Sequence, residues 1–105
     1  MPLTRPFKEL VQKRVRRDPA FREALLAEAI NELLSGDFEV GKVILRDFIN
    51  ATIGFEKLAK ATGAPSKSLM RMFSPKGNPS SRNLNAVISH LQKVNGLSLE
   101  VRSAS

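Results

Sequence analysis

The chain has 105 residues, 42% of them hydrophobic and 26% charged, with a net charge of +7, the size of one domain with a modest core. It contains no cysteine, which excludes disulfide staples and thiolate zinc sites. No apolar run approaches the roughly 20 residues that span a bilayer, and the N-terminal stretch has no apolar signal region, so a soluble cytoplasmic protein with no membrane partner is expected.

Phe7, Leu10, Val11 and Val15 trace one face of a first helix, whose end carries Lys13, Arg14, Arg16 and Arg17. Cations suit a helix C-terminus, where the dipole is negative. Asp18-Pro19 is a cap followed by proline at the first helical position, and opens a second helix through Phe21, Leu25, Ala29, Ile30, Leu33 and Leu34. Ser35-Gly36 stops it by the glycine route. Asp37 then caps a third helix bearing Val40, Ile44, Leu45, Phe48 and Ile49, which ends near Gly54.

The next twenty residues, Phe55 to Ser74, are the most informative. Phe55, Leu58, Ala59 and Thr62 fall at i, i+3, i+4 and i+7 of one short helix, and Leu69, Met72 and Phe73 repeat the start of that spacing on another. Gly63 lies between them, where a tight turn can use a residue free to take positive φ. Two short helices joined by a turn of three or four residues are the helix-turn-helix arrangement. Opposite the second apolar stripe, Lys67 and Arg71 are four apart and project together, as a recognition helix presents side chains to the major groove. The same pattern also fits any helical hairpin with a solvated outer face.

Ser74-Pro75-Lys76-Gly77-Asn78-Pro79 is a breaker cluster and reads as a loop. A last helix follows from about Ser80 to Val94, with Leu84, Val87, Ile88, Leu91 and Val94 on one face. After Asn95-Gly96, the segment Leu97 to Arg102 alternates apolar and polar residues, which is strand periodicity. A lone strand needs a partner edge, so the tail either pairs outside the chain or stays unpaired. The expected class is all-α, five or six short helices with a possible short C-terminal strand. It forms a single domain over residues 1–105, with an N-terminal helical extension (1–36), a helix-turn-helix core (37–96) and a tail (97–105).

Charge is unevenly spread. Between Lys57 and Gly96 there are seven basic residues (Lys57, Lys60, Lys67, Arg71, Lys76, Arg82 and Lys93) and no acid. A block of one sign in a basic chain is the electrostatic footprint of a nucleic-acid binder. Five acids precede Gly36, and the first two helices carry more Leu and Ala than one small helix pair needs, so they are expected to build a partner or dimer surface, with plain core packing as the alternative. Catalytic patterns are missing: there is no P-loop, dinucleotide fingerprint or nucleophile elbow. His90 has no acid nearby, while Glu28 and Glu32 have no histidine beside them and read as a solvated face. No enzyme activity, metal or cofactor is expected.

The run Gly54-Phe55-Glu56-Lys57-Leu58-Ala59-Lys60, then Lys67 to Ser74 and Gly77-Asn78-Pro79, resembles the addiction-module antidote proteins. These are small antitoxin-like members of the lambda repressor/Cro type of helix-turn-helix. Leu45-Arg46-Asp47 and Asn50-Ala51-Thr52 extend the likeness, which covers roughly residues 18–94. The resemblance implies a lambda repressor-like fold and two roles: neutralising a RelE/ParE-like toxin encoded alongside, and repressing the shared operon. It departs at Pro65, which stands where such proteins often place a capping serine; Ser66 follows one residue later. Because proline is tolerated at a first helical turn, the expected consequence is a small shift of the helix start.

The expected partners are a double-stranded DNA operator, such a toxin, and a second copy of the chain in a homodimer. Candidate base contacts are Lys67 and Arg71, which pair naturally with guanine O6 and N7, and Met70, which can meet a thymine methyl. Ser66 and Ser68 can reach base or phosphate. Lys57, Lys60, Lys76, Asn78 and Arg82 are the phosphate candidates. A stand-alone regulator without a toxin, and an interaction protein that docks a partner but no longer binds DNA, remain as alternatives.

Overall fold

The computed structural model describes residues 5–103, with side chains described from Glu9 onward, so Phe7 of the first expected apolar face falls outside the described side chains. The described residues form six helices: α1 (Arg5–Arg17), α2 (Pro19–Leu34), α3 (Phe38–Ala51), α4 (Phe55–Thr62), α5 (Ser66–Met72) and α6 (Ser81–Val94). Short polar side chains set three of the starts by satisfying otherwise orphaned backbone N–H groups. Asp18 accepts from the Phe21 N–H at 3.2 Å, Asp37 from Val40 at 3.3 Å, and Ser80 from Asn83 at 3.2 Å. Pro19 occupies the first turn of α2, where its missing N–H costs nothing.

Two glycines reverse the chain after helices in the same way. Gly36 (φ 97°) ends α2, its N–H donating to Leu33 O while Asp37 N–H donates to Glu32 O. Gly96 (φ 64°) ends α6, with Gly96 donating to Lys93 O and Leu97 to Gln92 O. This paired bonding is the Schellman motif, which needs a left-handed residue at its centre.

The core draws on five helices: Leu26 and Ala29 of α2, Leu45, Phe48 and Ile49 of α3, Phe55 and Leu58 of α4, Leu69 of α5 with Phe73 just beyond it, and Val87 and Leu91 of α6. α2 therefore shares one interior with the helices that follow it, and the radius of gyration of 13.3 Å matches about 100 residues packed as a unit. The α2–α3 pair is the most closely packed. At Gly41 a Cβ would lie 2.7 Å from the Leu33 side chain and 3.0 Å from Ala29 O, so the absent side chain is what lets these helices meet.

The buried stripes differ from expectation at several positions. In α2 the centre is Leu26, fully buried, while Leu34 is 64% exposed. Its charged residues (Arg22, Glu23, Glu28 and Glu32) are interspersed among the apolar ones around the helix, so periodicity alone cannot orient it. Leu10, Val40 and Val94, expected on apolar faces, are also exposed because they lie at the edges of their stripes. Among the described residues there is no strand. The alternating tail folds back instead: Leu97 and Leu99 pack against the core, and Leu99 N–H donates to Gln92 Oε1 at 2.9 Å. A side chain thus supplies the bond a neighbouring strand would have offered. Val101, third in the row, is 83% exposed.

Candidate functional site

The site is built on α4 and α5, two helices too short to persist alone in water. Neither has a side-chain cap on its first turn, so packing holds them. Phe55 and Leu58 of α4 and Leu69 and Phe73 at α5 are all buried, and the Phe55 and Phe73 rings meet at 6.1 Å, inclined by 51°. A tilted aromatic pair of this kind adds about 0.5–1.5 kcal/mol beyond its buried area. Gly63 makes the turn at φ 79°, a conformation that disfavours any residue with a Cβ. Pro65 is extended (φ −61°, ψ 142°) and serves as the cap, its carbonyl accepting the Leu69 N–H at 3.1 Å. α5 accordingly begins at Ser66.

With Leu69 turned inward, the opposite face of α5 is set. Lys67, Ser68, Met70 and Arg71 are exposed, Met70 by 51%, and Ser66 is half-buried at the helix start. Lys57 and Lys60 on α4, Lys76 and Asn78 in the following loop, and Arg82 in the first turn of α6 are exposed too. Among the described residues none of Lys57, Lys60, Lys67, Arg71, Lys76 or Arg82 forms an ion pair. Their charge is therefore uncompensated by any acid of the chain at close range.

The sequence-predicted residues fall into more than one place. Ser68, Arg71, Lys76 and Asn78 line one hollow of about 230 Å³ together with Met72 and Gly77, which joins base and phosphate candidates across the helix and the loop. Lys57 instead borders a larger hollow of about 550 Å³ with Arg16, Arg22 and Asn95. Two of these arginines close helix ends. Arg22 donates from one terminal nitrogen to Val15 O at 2.9 Å and Arg16 O at 3.2 Å, and Arg16 Nε donates to Ala51 O at 3.4 Å. Those bonds satisfy carbonyls left over where α1 and α3 stop.

One residue escaped the sequence reading. Lys42, in the middle of α3, is 1% exposed and is the only charged side chain buried in the core among the described residues. Its Nζ donates to Ser74 O and Gly77 O, each at 2.8 Å, approaches Pro75 O at 3.5 Å, and pairs with Glu39 at 3.2 Å. A signal was available: Lys42 lies at i+4 from Phe38 and three before Leu45, on the inward stripe of α3 rather than its solvated face.

The chain matches no protein-family model, no curated protein and no solved structure.

Proposed function

We propose that this chain is a DNA-binding antitoxin of helix-turn-helix type, which as a homodimer represses its own operon and neutralises a RelE/ParE-like toxin encoded beside it. The observation that carries the DNA half is the outward face of α5. Lys67, Met70 and Arg71 stand exposed on a helix anchored by Leu69 and Phe73, inside a 40-residue block with no acid. Major-groove reading needs base-reaching side chains on a rigid helix, flanked by cations for phosphate, and this face supplies both. The toxin half draws on the resemblance over residues 18–94. It also draws on a partly apolar groove of about 270 Å³ between α2, α6 and the tail, bordered by Ile30, Leu34, Ile88, Leu99 and Val101, which offers surface to a partner.

The test is binding of a labelled duplex taken from directly upstream of the gene, with a scrambled duplex of equal length alongside. Preference for the upstream duplex is expected, and equal affinity for both overturns the operator reading. Co-purification with the product of the adjacent reading frame tests the second half, and failure to form that complex leaves only the stand-alone regulator.

A further inference from the structure

We propose that Lys42 is a positioning residue for the nucleic-acid face: it clamps the loop of residues 74–78 so that Lys76 and Asn78 stand beside Arg71 as one contact surface. The inference rests on the DNA-binding reading of α5 and adds to it a residue that touches no DNA. Lys42 belongs to α3, yet its donors go to the carbonyls of Ser74 and Gly77, more than 30 positions away along the chain. An ammonium with three donors is suited to gathering several carbonyls of one loop, because it lacks the fixed planar fork of arginine. Glu39 holds the same nitrogen from the α3 side.

The loop is gripped from its other side as well. At Gly77 a Cβ would overlap Arg71 O and crowd Met72 O, so the loop crosses directly over the end of α5 with no room for a side chain. Gly77 N–H donates to Ser74 O at 2.9 Å, and Ser74 Oγ donates to Arg71 O at 2.7 Å. Lys42 below and the end of α5 beside it leave the loop one position. In that position Lys76, Asn78, Arg71 and Ser68 share a single hollow. A loop rich in Pro and Gly would otherwise sample many conformations, and each would have to be given up on binding.

The test measures binding of the upstream duplex across a salt series for the parent, Lys42→Met, Lys76→Ala and the double variant, with amide hydrogen exchange followed in parallel. In Lys42→Met the amides of Ser74 and Gly77, both hydrogen-bonded within the loop, should exchange faster while α3, α4 and α6 keep their protection. Affinity should fall on the order of tenfold, and the log–log salt slope of the dimer should shrink by about two, one phosphate contact being lost from each subunit. Lys76→Ala should then add little, since its contact is already gone. Additive losses, or an unchanged slope, overturn the proposal. So does unfolding of the whole chain in Lys42→Met, which would make Lys42 a determinant of the core and not of the loop. Gly77→Ala displaces the same loop from the α5 side and should reduce the slope equally; an unchanged slope there also counts against the idea. If the parent binds no duplex, the DNA reading fails by itself. The exchange data then decide the clamp: selective release of the Ser74 and Gly77 amides upholds it, and no release ends it.

Discussion

Arg71 and Lys42 carry the same charge into opposite tasks, and burial decides which. Arg71 is exposed, unpaired among the described residues, and set on α5 beside Ser68, Lys76 and Asn78. Nothing in the fold depends on its guanidinium, so Arg71→Ala should leave thermal stability within about 0.5 kcal/mol of the parent. Its cost should appear in recognition. If it reads a guanine, specific affinity falls by about 1–3 kcal/mol while binding to scrambled DNA changes little. Titration of both duplexes with the variant checks this, and undiminished operator affinity would remove Arg71 from the reading set. Lys42, sealed at 1% exposure, can contribute only through what it holds.

Among the elements, the α2–α3 pair is the most closely packed, and Gly41 sets its spacing. Two effects compete in Gly41→Ala. Alanine improves helix propensity by up to about 1 kcal/mol. Against that, the new Cβ would sit 2.7 Å from Leu33 and 3.0 Å from Ala29 O. The leucine can turn aside, but the carbonyl belongs to the backbone of α2 and moves only with its helix. Overpacking of this kind costs about 1–3 kcal/mol, so net destabilisation is expected. Urea unfolding should show a lower midpoint with an unchanged slope; a midpoint at or above the parent's would mean that α2 shifts freely and that the pair is not tightly fitted. Exposed ion pairs matter far less: Arg14–Asp18 spans 3.7 Å on open surface and is worth a few tenths of a kcal/mol at most.

For the whole molecule the governing quantity is where the charge of +7 resides. Five acids precede Gly36, and the 40 residues after Glu56 carry none. A dimer in which each subunit neutralises about three phosphates should show a log–log dependence of affinity on salt near −5. Measuring affinity at four or more salt concentrations gives that slope. A value near zero would mean that the basic face is not used for DNA, and the reading as a docking-only protein would gain.

Residue spacing alone determined the class, the order of the six helices and most of their ends. Capping aspartates, breaking glycines and the i, i+3, i+4 recurrence act over one or two turns and need no partner to be legible. The outward face of α5 was legible for the same reason: once Leu69, Met72 and Phe73 turn inward, Lys67, Met70 and Arg71 have nowhere else to go. Other features depended on contacts between separate elements. α2, whose apolar and charged residues are interspersed, takes its rotation from where Gly41 lets α3 approach, so Leu26 is buried and Leu34 is not. The alternating tail finds Gln92 and the core instead of a strand. Lys57 sits with Arg16 and Arg22 while Lys76 and Asn78 sit with Arg71. Lys42, one more lysine by composition, becomes the link between α3 and the loop beyond α5. Hydrogen bonds and packing between separate elements leave no local period in a sequence, and only the folded chain brings their ends together.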